Sequence, residues 1–125
     1  MLDTCALIWY SLLDKELLSR KAAQKIEEAS EIMISSISIW EIGIKVKKKD
    51  LILPISIDSY VNRLKQMDTF KIIPLEEDII IRSLNLDWDH KDPADRFIVA
   101  TAQKYGIPLL TADKLIRSFY SQAVW

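Results

Sequence analysis

Residues 90 to 113, HKDPADRFIVATAQKYGIPLLTAD, decide how the rest of the chain is read. Asp92 followed by Pro93 predicts a helix N-cap with proline in the first turn, where its missing N–H costs nothing. Phe97, Ile98, Ala100, Thr101 and Ala102 give that helix a broad apolar face. Gly106 suits its C-terminus, and Pro108 stops it from continuing. Leu109 and Leu110 then read as a short buried strand, and Asp113 follows its far end. An acid at a helix start, Asp95, and an acid just past a strand, Asp113, therefore fall on the same predicted edge of one sheet.

The same alternation extends toward the amino end. Met1, Leu2 and Asp3 close a short strand, and a mostly buried helix runs from Ala6 to Leu13. Ser19 caps a helix over 20–29, with Lys21, Lys25, Glu27 and Glu28 on a solvated face. Ile32, Met33 and Ile34 form a strand. A further helix starts near Ser38, where Ser38 and Glu41 match a capping box, and it ends in the basic run Lys47, Lys48, Lys49. An amphipathic helix follows from Ile57 to Met67. Phe70, Ile72 and Ile73 with Pro74 predict an edge strand. The segment from Glu76 to Leu86 is helical, residues 86–91 form a polar loop, and Ala123 to Trp125 add a last strand. Short apolar strands alternating with helices predict one domain over residues 1–125, a three-layer α/β/α sandwich with a mainly parallel central sheet. In such sheets ligands bind along the carboxyl edge of the strands.

Composition narrows the class. The 125 residues are half apolar and 28% charged, a globular profile. A net charge of −1 supplies no general attraction for nucleic acid, so such a partner must be held locally. One cysteine, Cys5, excludes an internal disulfide and fits a reducing cytoplasm. No apolar stretch is long enough to span a membrane, and Asp3 near the start argues against a signal peptide. Two glycines leave no phosphate-cradling loop.

Four acids fall on the predicted ligand edge: Asp3, Glu41, Asp95 and Asp113. Each alone has a structural reading as a cap or a first-turn acid favoured by the helix dipole. Brought together they repel, and must take up protons or hold a cation. Oxygen donors suit Mg²⁺ or Mn²⁺, which assist phosphodiester hydrolysis. Lys45, Lys91 and Arg96 are cations that could meet a phosphate, although each also fits a plain surface charge. His90, the sole histidine, has no nucleophile at a recognisable spacing. Cys5 reads as core, and Trp9, Tyr10, Trp40 and Trp88 as packing residues.

The segments LDTC at 2–5, SSISIWEIGIK at 35–45, HKDPADRFIVATA at 90–102 and PLLTAD at 108–113 resemble the PIN-domain ribonucleases, specifically the VapC-like toxins of toxin–antitoxin modules. The resemblance implies that Asp3, Glu41, Asp95 and Asp113 form the catalytic and metal-holding set. It also implies a Mg²⁺- or Mn²⁺-dependent endoribonuclease acting on RNA, a homodimer, and a cognate antitoxin. Two features depart from that pattern: Cys5 stands where the subfamily usually has histidine, and few residues precede Asp3. A non-catalytic PIN-like module binding RNA or protein is the alternative. A phosphoacceptor receiver domain ranks lower, because Asp3 has no acidic neighbour.

Overall fold

The computed structural model describes residues 1–12 and 15–125. Its elements, in chain order, are α1 (Thr4–Ser11), α2 (Arg20–Glu27), β1 (Ile32–Ser35), α3 (Ser36–Lys47), α4 (Ile57–Gln66), β2 (Phe70–Ile73), α5 (Glu77–Leu84), α6 (Pro93–Tyr105), β3 (Leu109–Leu110), α7 (Lys114–Phe119) and β4 (Ala123–Val124). A 3₁₀ turn at Lys15–Leu17 precedes α2. Leu13, expected in the first helix, lies outside the described residues.

The sheet is parallel throughout. Strands β2 and β1 pair in parallel, as do β3 and β4, and Leu2 bridges Ile34 on one side and Leu110 on the other. The order across the sheet is therefore β2, β1, Leu2, β3, β4. The Leu2 amide donates to Met33 at 3.0 Å, the Asp3 amide to Leu110 at 3.1 Å, and the Leu110 amide to the carbonyl of Met1 at 2.9 Å. Strand β2 lies at the edge, as Pro74 requires.

Alternation along the strands splits the apolar side chains between two layers. Leu2, Ile32, Ile34 and Leu110 face a cluster formed with Leu7, Ala22, Ile26, Ile42, Tyr60 and Leu64. Met1 and Leu109 face the opposite way, against Ile98, Val99, Ala102, Ile116 and Tyr120. Helix α5 packs beside α6 through Ile79, which joins Ile73 and Ala100. This is the expected three-layer sandwich.

Local rules explain most boundaries. The Ser19 side chain accepts from the Ala22 amide, and Asp92 accepts from the Ala94 amide with Pro93 in the first turn. Gly106 ends α6 at φ +61, a left-handed conformation that a residue with a Cβ adopts only under strain. The capping-box reading of Ser38 and Glu41 is corrected. Helix α3 starts two residues earlier, at Ser36, and its cap is Ser35, whose side chain accepts from Ile37. Ser38 thus sits buried within the first turns of α3. The Glu41 carboxylate has no cap to complete and is left for other work.

Candidate active site

The topology delivers the four acids to one cleft at the carboxyl edge. Asp3 leaves the central bridge and caps α1, its Oδ1 accepting the Ala6 amide at 2.6 Å. Glu41 rises from the second turn of α3, and Thr4, the first residue of α1, donates its hydroxyl to Glu41 Oε2. Thr4 Oγ1 also lies 2.9 Å from Ser38 Oγ. Asp95 stands in the first turn of α6, and Asp113 caps α7 by accepting the amides of Leu115 and Ile116 at 2.6 and 3.0 Å. Asp3, Glu41, Asp95 and Asp113 line a common cavity of about 390 Å³, together with Asp92 and Lys45. All four of the acids singled out in the sequence are brought together there.

Their electrostatics match a crowded carboxylate site. Burial pushes the Asp3 carboxyl up to about 6, helped by the charges of Asp95 and Asp113 and opposed by hydrogen bonds from Thr111 and Ala6. Burial likewise holds Glu41 above the ordinary carboxylate value, against the Thr4 hydrogen bond. Asp95 is raised by burial first, with Asp92 and Asp113 adding to it and His90 working against it. Among the described residues, none of the four carboxylates is ion-paired to a lysine or an arginine.

The donor set consists of hard oxygens, the kind Mg²⁺ and Mn²⁺ take. In each acid one oxygen is already occupied by an internal donor: Oδ1 of Asp3 and Asp113, Oε2 of Glu41, and Oδ2 of Asp95. Among the described residues no three His, Cys, Asp or Glu side chains stand at the mutual spacing of a closed metal site. An ion that keeps several of its waters accommodates this arrangement, and Mg²⁺ does so by preference.

Three site features escape the sequence reading. His90 is one: its Nε2 lies 2.7 Å from Asp95 Oδ2, with side chains only 10% and 24% exposed. The imidazole stacks on Trp88 at 4.0 Å between centroids, and Trp88 in turn stacks on Phe119 at 4.7 Å. A loop brings this histidine back onto the helix it precedes, and no periodicity reports such a turn. Its sequence signal is modest: the lone histidine stands five residues ahead of a candidate acid. Arg96 is the second. It is neither a phosphate partner nor a free surface charge, because its guanidinium donates to the carbonyls of Ser83, Leu86 and Trp88 and clamps the loop that carries His90. Cys5 is the third. It is exposed and lines the cleft rather than the core, because Thr4, Ala6 and Leu7 occupy the inward side of α1.

A parallel α/β sandwich with four acids gathered in one cleft at its carboxyl edge defines the class: an α/β fold with a carboxylate site where such sheets bind their ligands. Comparison with known proteins narrows that class. The PIN domain family profile matches residues 1–121, and the chain belongs to that family. It is 29% identical over 119 residues to the ribonuclease VapC22 of Mycobacterium tuberculosis (strain ATCC 25618 / H37Rv), covering 94% of this chain and 89% of that protein. Its structure superposes on a toxin–antitoxin complex from Klebsiella pneumoniae with a TM-score of 0.70 and 27% sequence identity, over 99% of this chain and 94% of the other. The resemblance to VapC-like toxins drawn from the sequence thus extends over nearly the whole chain.

Proposed function

We propose that the protein is an endoribonuclease, the toxin of a toxin–antitoxin module, which hydrolyses RNA phosphodiesters at Asp3, Glu41, Asp95 and Asp113. The observation that carries this reading is the shared cleft of those four carboxylates. Family membership and the likeness to a ribonuclease support it. The four acids would hold Mg²⁺ or Mn²⁺, directly or through water. When bound, such an ion offsets the charge of the phosphodiester and makes a water more acidic.

The remaining roles belong to side chains of the chain itself. Asp3 and Asp113 are fixed by the helix starts they cap, so their carboxylates have a defined aim. Thr4 holds Glu41, and His90 holds Asp95 in a fixed orientation through the stacked Trp88. Lys45, which lines the cleft, is the cation placed to meet a phosphate oxygen. A cognate antitoxin is the expected protein partner, in keeping with the structural neighbour from a toxin–antitoxin complex, and a second copy of the chain is the expected oligomeric partner.

The test is cleavage of RNA by the purified protein with Mn²⁺ or Mg²⁺ and with EDTA, beside Asp3→Asn and Asp95→Asn. Metal-dependent cleavage lost in both variants is the expected result. RNA binding without cleavage, identical in all three proteins, would leave the non-catalytic module as the answer.

A further inference from the structure

We propose that Trp40 is a stacking platform for an unpaired nucleobase of single-stranded RNA, next to the carboxylate cleft, with Lys45 and Lys48 holding the adjoining backbone phosphates. The inference rests on RNA being the substrate and names the form in which it is recognised.

Trp40 is 61% exposed although it stands on a helix whose neighbouring turn, Ile42, is fully buried. A large indole left in water is an unusual expense for a helix that has apolar surface to cover, and its surroundings point to a use. Trp40 heads a stripe at i, i+4 and i+8 that continues through Ile44 to Lys48. The adjacent stripe of the same helix carries Glu41 and Lys45. The groove that Trp40 lines is continuous with the carboxylate cleft, because Glu41, Lys45 and Asp92 belong to both.

A chain leaving the cleft at Lys45 therefore has an aromatic face, Trp40, toward the start of α3 and a second cation, Lys48, toward its end. Neither Lys45 nor Lys48 is ion-paired among the described residues. Asp50 and Asp92 also line the groove, so it is no general sink for polyanions. It favours a strand that places its phosphates at the lysines and a base on the ring. Stacking needs a base freed from pairing, which a duplex does not present. The net charge of −1 adds weight, since affinity for RNA has to come from such local contacts.

The test is a fluorescence titration of the protein with a six-nucleotide oligouridylate in EDTA, where metal-assisted cleavage is arrested, for wild type, Trp40→Ala and Trp40→Phe. Trp40 is exposed enough that neither change disturbs the core, and melting curves verify this. A base on the indole predicts quenching in wild type and its loss in Trp40→Phe, with affinity nearly kept. Trp40→Ala should bind about tenfold more weakly, the size of one lost base–aromatic stack. Cleavage with Mn²⁺ should show the same rise in KM with kcat unchanged, and a duplex of the same length should show no dependence on Trp40. Equal binding and equal KM in Trp40→Ala would overturn the platform, even with wild-type cleavage intact. A Trp40 requirement for antitoxin binding alone would overturn it too. Trp40-dependent binding without any cleavage would support the platform while sinking the nuclease reading.

Discussion

Two helices of this protein begin with acids, and the contrast between them separates a helix start from a chemical site. Helix α5 carries Glu76 at its cap and Glu77 and Asp78 in its first turn; α6 carries Asp92 and Asp95 in the same places. By the dipole argument the two are equivalent. Lys104, however, reaches Glu76 at 2.8 Å and Asp78 at 2.9 Å, and its hydrogen bond holds the Asp78 carboxyl below the usual value. Asp95 receives a histidine and four neighbouring acids, Asp3, Glu41, Asp92 and Asp113, instead of a paired ammonium, and its carboxyl is raised. Acids at a helix start are commonplace; acids at a helix start with no cation to answer them, half out of water and facing other acids, leave room for an ion from solution.

The largest expected separation is catalytic. Asp95→Asn and Asp3→Asn should each lower the initial rate of Mn²⁺-dependent RNA cleavage by at least about a hundredfold, the scale on which electrostatic groups of an active site register when removed. Glu76→Gln and Asp78→Asn should leave that rate within about twofold, as changes outside an active site do. Equal losses at both helix starts would erase the contrast.

The second separation lies in pH. An acid whose carboxyl is raised on folding binds its proton more tightly in the native state, so its contribution to metal-free stability is fullest below the unfolded value of 3.8 and declines as pH climbs toward about 6. For Asp3 the loss is of order 3 kcal/mol across that window, from a shift of about two pH units. Asp78 runs the other way: its contribution is present above the unfolded value and fades as the solution is acidified through its lowered native value. Chemical denaturation in EDTA across pH 4 to 7 should show the decline in wild type and a flatter curve in Asp3→Asn, whose amide can still accept the Ala6 N–H. A steeper curve in the variant would reverse the assignment.

Next in size is the histidine that stands in for the missing ammonium. His90→Ala should weaken Mn²⁺ binding, measured by calorimetry, by about ten- to a hundredfold, as outer partners of metal-holding carboxylates do. A melting temperature that falls while Mn²⁺ affinity holds would reduce His90 to packing. The smallest effect belongs to Lys104→Met, which should cost a little thermal stability, as exposed ion pairs do, and nothing in cleavage.

How much of this was legible depended on whether the cause was local. Asp92, Pro93 and Gly106 set the ends of α6 through contacts within one turn, so the residue types alone reveal them. The mainly parallel sheet and the placing of four acids along one of its edges followed from alternation and connection rules that need no side-chain detail, whereas the order of the strands came only with the structure. The Ser38 to Glu41 reading failed because a second serine three residues earlier competes for the cap, and the two patterns look alike on paper. The clamp of Arg96 on three carbonyls, the fold-back of His90 and the outward turn of Trp40 and Cys5 depend on where a loop or a helix face finally lies. Those are decided by tertiary packing.

At the middle of the sheet Leu2 bridges Ile34 on one side and Leu110 on the other. Asp3 owes its position to backbone bonds on either side of Leu2, where the two outer strand pairs are sewn together over a span of three residues. Any loosening of those bonds carries one acid away from the other three, which are held on α3, α6 and α7. Mild urea should accordingly silence the enzyme at a lower concentration than the one at which its circular dichroism begins to change, so that loss of function precedes loss of shape.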